Sequence, residues 1–454
     1  MISPAVAADR VAVAVGAQDG SAYRAALQDL RQAVRSAAPD DLTAALVRLA
    51  PVLREIPLGI GAQLARLVGS MAGRAADTPP VLEVLVERAC QAMELAAQFA
   101  VLHREVLGEP PSPTDHVAAE PAIDRFTTIV ADRAANALSL VQAWFEGADW
   151  VQPVLYLAQR PDIRAALPQR ARLLTAVESI RDEMPDADWL HGLLLVLDDA
   201  PLVVLHRPTG RGYRLTIAGI GENAQLQTLL AAALIGDADA GLLPGTPPTA
   251  EMTAAADGTG NPEPPGGVLA QFTLADPYGW DRTLAHPAEI PLFEGERVII
   301  LDPLAQRLTW PSGRVYPLMR PTLRIDSQLS PDDAAARLAK ARPAKFVGTY
   351  HTEDLSVWLP PGHDVAELVD VVLRAALRDT PADDLERLLI DQFGMPPDDA
   401  FLARDRTEAG LVRAASRNPE NRPDPAKDPV AAQSYRRALA DPTLVQRLLP
   451  DLAG

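Results

Sequence analysis

The chain has 454 residues, a formal net charge of −18 and a charged fraction of 22%. An acidic surface of this kind repels phosphate backbones and anionic lipid headgroups, which argues against nucleic-acid and membrane-surface binding. Aromatic residues make up 5% against a hydrophobic fraction of 48%, so the cores must be built from Ala, Leu and Val, side chains that suit close-packed helices.

Lysine occurs only at Lys340, Lys345 and Lys427, with arginine supplying the other positive charges. Together with the excess of Ala and Pro, this usage reads as bacterial. The single cysteine, Cys90, lies in an apolar helical stretch with Val86, Ala89 and Met93, where a thiol packs as a small hydrophobe. Asp9 and Arg10 interrupt the N-terminal apolar run, unlike a signal peptide. Runs such as Leu193–Leu197 and Leu229–Ile235 fall short of the ~20 residues of a membrane span. The expected compartment is the cytoplasm.

In chain order, residues 1–18 read as a flexible tail and residues 19–200 as a helical domain. Leu27, Leu30 and Val34 recur at helical spacing, and a second helix opens at Asp40 and Asp41. Pro79 and Pro80 start a long helix running to Leu107, and Pro110, Pro111 and Pro113 close that block. Further helices are expected over Ala122–Phe145, Val151–Gln159 and Ala165–Glu183.

The pattern changes at Pro201. Leu202–His206 and Tyr213–Ile217 are β-rich runs around Pro208-Thr209-Gly210-Arg211-Gly212, the signature of a hairpin. A helix follows over Asn223–Leu234, then a Pro/Gly-rich linker over 237–266. Strand signals return at Val268–Leu274, Arg297–Leu301, Arg307–Trp310 and Leu323–Ile325. Residues 201–350 therefore read as a mixed α/β domain. The run Pro311–Tyr316 echoes Pro208–Tyr213; independent turns explain it better than a duplicated hairpin. Residues 351–454 read as a helical C-terminal region, with 415–430 prone to disorder because of their prolines and asparagines. The expected fold class is α+β and predominantly helical: a helical array, a mixed middle with hairpins, and helices again.

Gly219, Gly221 and Asn223 are the candidate ligand-binding residues. Gly219-Ile220-Gly221-Glu222-Asn223-Ala224 follows a strand and opens a helix, the form that seats a pyrophosphate on helix N–H groups. Against this, the preceding strand belongs to a hairpin, no second strand follows, and Glu222 brings a negative charge. The competing reading is a tight strand-to-helix turn with Asn223 as N-cap. His351 and His363 are the candidate metal ligands, near Glu353, Asp354 and Asp364, although their spacing fits no known zinc pattern. His206 and His286 lie in the middle domain with nothing to select them. The acid pairs Asp40/Asp41, Asp332/Asp333, Asp383/Asp384 and Asp398/Asp399 each follow a proline and read as helix starts. Trp144, Phe145, Trp150 and Trp189 are core plugs or, as exposed anchors, partner sites.

No nucleophile elbow, phosphate loop or zinc-protease motif is present, and nothing selects a cofactor. The functional expectation is a non-enzymatic cytoplasmic protein that binds another protein, as a scaffold or regulatory partner. The alternative is an enzyme or small-ligand-binding protein with a pocket in the mixed α/β middle.

Overall fold

The structure is a computed structural model. It describes residues 2–130, 134, 136–261, 267–283, 285–304, 309–344, 359–360, 362–378, 380–397, 399–401, 403–404 and 407. The fold is α+β and mostly helical. Its contacts divide the chain into two compact units, Met1–Ala344 and Lys345–Gly454.

Helices α1 (Pro4–Gly16), α2 (Gly20–Ala33) and α3 (Pro39–Glu55) form the start of the array. Residues 1–18, expected as a tail, thus contain a helix. Ser3 accepts a hydrogen bond from the Val6 N–H as its N-cap. Ala7, Ala8, Val11 and Ala14 are buried at helical spacing. Small side chains make this stripe inconspicuous in the sequence, yet they let neighbouring helices approach closely.

Helices α4 (Leu58–Ala72), α5 (Pro79–Leu107), α6 (His116–Val130) and α7 (Ala137–Leu157) follow. The expected helix Ala122–Phe145 is divided between α6 and α7, and α7 continues through Gly147 and Pro153 into the expected helix Val151–Gln159. Gly61 and Gly69 on α4 face α7: a Cβ at Gly61 would sit 2.7 Å from the Trp150 ring, and one at Gly69 would sit 2.6 Å from Pro153 Cβ. Bulk on α7 is accommodated by its absence on α4. Trp144, Phe145 and Trp150 are buried, so they are core plugs, whereas Trp189 is exposed. Cys90 is fully buried, and burial pushes its thiol up to about 11, away from thiolate reactivity. Helices α8 (Pro161–Ala165), α9 (Arg170–Glu178) and α10 (Pro185–Leu195) complete the array.

Strands β1 (Ala200–His206) and β2 (Arg211–Ala218) form the expected hairpin. They belong to a mixed sheet with β4 (Thr273–Ala275), β5 (Leu292–Phe293), β6 (Glu296–Asp302) and β8 (Thr322–Gln328). The strand order is β4-β6-β1-β2-β8, with β5 beside β6. Among the described strands, β1 and β6 are the one parallel pair. β3 (Gly267–Leu269) and β7 (Thr309–Pro311) form a separate ribbon. Pro311–Tyr316 therefore leaves a short strand, and the echo of Pro208–Tyr213 is no second hairpin. The expected linker carries helix α12 (Ala250–Asp257), with Ala255 and Ala256 buried.

One face of the sheet packs on α11 (Asn223–Leu234) through Leu226, Leu229, Leu230 and Leu234. α11 is enclosed almost all round, and its polar side chains bond the surrounding loops. Gln225 donates to the Ala256 carbonyl at 2.7 Å and Gln227 to the Phe272 carbonyl at 2.9 Å. Trp310 donates to Thr228 at 3.1 Å. Loops laid over a buried helix carry carbonyls that water cannot reach, and these side chains supply donors. The opposite face is covered in part by α13 (Pro331–Lys340), whose Ala334 and Leu338 meet Val203, Leu205 and Ile300. Ser330 caps α13, and Asp332 and Asp333 occupy its first turn.

His206, at the end of β1, is buried against the Phe272 ring, with Nδ1 2.8 Å from the Thr209 hydroxyl. Burial pushes its imidazole down to about 4. Between ~6.5, the unfolded value, and that point, the unfolded chain takes up a proton that the folded chain refuses. Stability therefore falls as pH drops through this window. Denaturant unfolding at pH 7.5 and pH 4.5 should show His206→Gln losing roughly 2 kcal/mol less than the parent chain. Equal losses would contradict the assignment.

In the second unit, α14 (Val365–Leu377) and α15 (Ala382–Phe393) carry clear apolar stripes. Asp364 caps α14 by accepting from the Glu367 N–H, and Asp383 and Asp384 occupy the first turn of α15. Residues 415–430 and Asp398 lie outside the described residues.

Candidate protein-binding site on the open half of the sheet

The three candidate ligand residues do come together, in the turn between β2 and α11. Gly219 adopts φ 69°, a conformation that favours glycine. Its N–H donates to the Leu197 carbonyl at 2.9 Å. The Gly221 N–H donates to Gln225 Oε1 at 2.9 Å. Asn223 is the first residue of α11, so Glu222 holds the N-cap position, and its side chain makes no cap hydrogen bond. The Asn223 N–H donates to the Ala285 carbonyl at 2.9 Å and its amide to the Arg282 carbonyl at 2.6 Å. The N–H groups that would cradle a phosphate thus serve internal carbonyl and amide oxygens. A Cβ on Gly221 would lie 3.0 Å from the Tyr316 ring, and His286 Nδ1 is 2.7 Å from the Gly221 carbonyl. The Tyr316 hydroxyl donates to the Trp189 carbonyl at 2.9 Å. This turn fastens the sheet to α10.

His363 lies 3.3 Å from Glu367 and edge-on to the Phe393 ring. His351 lies outside the described residues. Among the described residues, no group of three or more His, Cys, Asp or Glu could hold a metal ion.

The most open part of the sheet is elsewhere, at its β8 edge. β8 is a seven-residue strand with six exposed positions. Among the described residues it pairs with β2 alone. One row of backbone N–H and C=O groups therefore has no strand partner. Asp326 is the extra residue of a bulge in β8, since Ser327 lies opposite Arg214 and Ile325 opposite Leu215. Beside it lies a cleft of about 280 Å³, lined among others by Pro201, Val203, Arg214, Leu292, Glu296 and Asp326.

The charges here are matched. Glu296 pairs with Arg214 and Arg337, each at 2.5 Å, which holds its carboxyl below the usual range. Asp326 pairs with Arg324 at 2.7 Å and accepts from the Thr216 hydroxyl at 2.7 Å, with the same effect on its carboxyl. Arg297 donates to the Ala288 and Ile290 carbonyls. These groups hold the surface in shape and present alternating charge.

The sequence reading marked Leu323–Ile325 as a strand but gave it no role, because nothing local tells an edge strand from an inner one. Arg324 and Asp326, two apart and so on one face of the strand, are the signal that could have found it.

Comparisons with protein-family models, curated proteins and solved structures return no match for this chain. Among the described residues, no helix is long and apolar enough to cross a membrane.

Proposed function

We propose that this protein works by binding another polypeptide, and that the free edge of β8 is where it does so. The observation that carries the reading is a seven-residue edge strand, exposed on both faces and paired on one side only among the described residues. Such an edge is a template for an added strand, with affinity from backbone hydrogen bonds and selectivity from alternate side chains. The neighbouring charged groups are engaged in ion pairs, which supports recognition over acid–base chemistry. On this reading the chain is a non-enzymatic scaffold or regulatory partner in a bacterial cytoplasm. The second reading, a small ligand, would draw on the cleft beside β8.

The test is a photo-crosslinking amino acid placed at Ser327, or as a control at Val13 on α1, which is also exposed. Purification from the native host should yield a discrete polypeptide adduct from position 327 and none from position 13. Stoichiometric recovery of a nucleotide or metal ion, with no polypeptide adduct, would replace this reading with the second.

A further inference from the structure

We infer that the helical array carries a binding site for a small zwitterion, a free α-amino acid or a dipeptide, in the cleft lined by α2, α4 and α7. This goes beyond the proposed function and does not depend on it. The cleft measures about 600 Å³, a size usual for small-molecule sites, and is lined by Arg31, Gln63, Arg66, Glu146 and Asp149 among others. A second cleft of about 250 Å³ shares Arg66 with it and is walled by Gly69, Pro153 and Tyr156.

The two walls differ in charge. Gln63 and Arg66 lie three apart on α4, and Glu146 and Asp149 lie three apart on α7, so each pair shares one helix face. The last turn of α2 adds Arg31 beside Gln63. Arg31 donates to Gln63 Oε1 at 2.9 Å, and among the described residues it has no carboxylate partner. A guanidinium held by a neutral amide keeps its charge and further N–H donors for a carboxylate. Arg66 lies 3.4 Å from Asp149, looser than the ~2.8 Å of a tight guanidinium–carboxylate bond.

On the other wall the negative charge is in excess. The Asp149 side chain is 21% exposed, and Asp186 in the first turn of α10 interacts with it. Burial raises the Asp186 carboxyl, a hydrogen bond with Gln152 opposes this, and Asp149 raises it further against the pull of Arg66. Arg66 thus serves two carboxylates in a partly buried place, and an added ammonium group relieves their repulsion. An ammonium on this wall and a carboxylate at Arg31 are the two ends of an amino acid or a dipeptide. The recess beside Pro153 and Tyr156 has room for a side chain.

The test is calorimetric titration of the full chain with the standard L-amino acids and with alanyl-alanine. At least one should bind saturably at a single site. Amidating its carboxylate or acetylating its amine should weaken binding about tenfold or more, the loss of one charged contact. Arg31→Gln should weaken the free ligand by the same factor, yet bind the amidated form as the parent chain does. Asp149→Asn should do the same with the acetylated form. Damage to helix packing would instead weaken free and blocked forms alike, which separates a binding role from a structural one.

Binding of single amino acids assigns the site to them, and binding of the dipeptide alone assigns it to peptides. The absence of saturable binding by any of these probes at about 10 mM would overturn the inference. Equal losses for free and blocked ligands in both variants would overturn it too.

Discussion

Trp150→Ala is expected to destabilise the Met1–Ala344 unit by about 4 kcal/mol, the upper part of the range for a fully buried large aromatic. Trp150 is 0% exposed and stands at the centre of the α4–α5–α7 packing. Three separate interactions end on its indole. Its Nε1 donates to the Leu58 carbonyl at 2.9 Å. The Arg88 guanidinium lies 4.8 Å from the ring centroid. The Gly61 Cα leaves room for the ring edge, so that even an alanine there would clash with it. Truncation opens a cavity, removes the indole hydrogen bond to the Leu58 carbonyl and removes the cation–π partner of a buried guanidinium. The neighbours cannot collapse inward, because Pro153 already presses on Gly69 one turn away. Denaturant unfolding checks the magnitude, and Trp150→Phe, which keeps most of the volume, should lose less than half as much. A loss under about 1 kcal/mol for the alanine variant would show that the site relaxes.

The second large effect is expected where the helical array hands over to the sheet. Arg164 on α8 is 1% exposed and makes a two-pronged ion pair with Asp198, at 2.6 and 3.0 Å. It also donates to the Ala158 carbonyl at 2.8 Å and the Gln159 carbonyl at 3.3 Å. Asp198 sits in the short link between α10 and β1, next to Asp199 with φ 50°. One guanidinium therefore ties the end of α7 to the link that starts β1. Arg164→Ala should cost about 3 kcal/mol, less than a wholly buried pair would because Asp198 is partly exposed. Arg164→Lys should recover little, since an ammonium cannot make the fork and reach both carbonyls. Hydrogen exchange should report the loss first at Val196–Pro201, before the centre of α7. If exchange rises uniformly along the chain, the residue stabilises the unit as a whole and has no particular role at this junction.

Both predictions concern the scaffold that holds the sheet in place, and the sheet is where recognition is proposed. The three candidate ligand residues belong to this scaffold too. Gly219, Gly221 and Asn223 were conspicuous because glycines and a helix start make the same local pattern in a phosphate turn and in a packed junction. The difference lies in what faces the N–H groups, here Leu197, Gln225 and Ala285, which are distant or unremarkable in sequence.

The elements of this protein were largely determined by the sequence itself. The β1–β2 hairpin, α11 with both its ends, the proline-acid start of α13 and the stripe of α14 all follow from periodicity and turn chemistry within a few residues. Local patterns were silent where small residues carried the packing, as in α1, and where a proline was tolerated inside α7. Only the tertiary structure decided which strands are neighbours. β8 joins β2 across about a hundred residues, and β6 lies parallel to β1, pairings that no local pattern specifies. It also decided that α11, with two glutamines and an asparagine, is buried, because the loops that accept their hydrogen bonds come from elsewhere in the chain. The edge position of β8 belongs to the same class of fact: among the described residues β2 is its one strand neighbour, and only the assembled sheet reveals that.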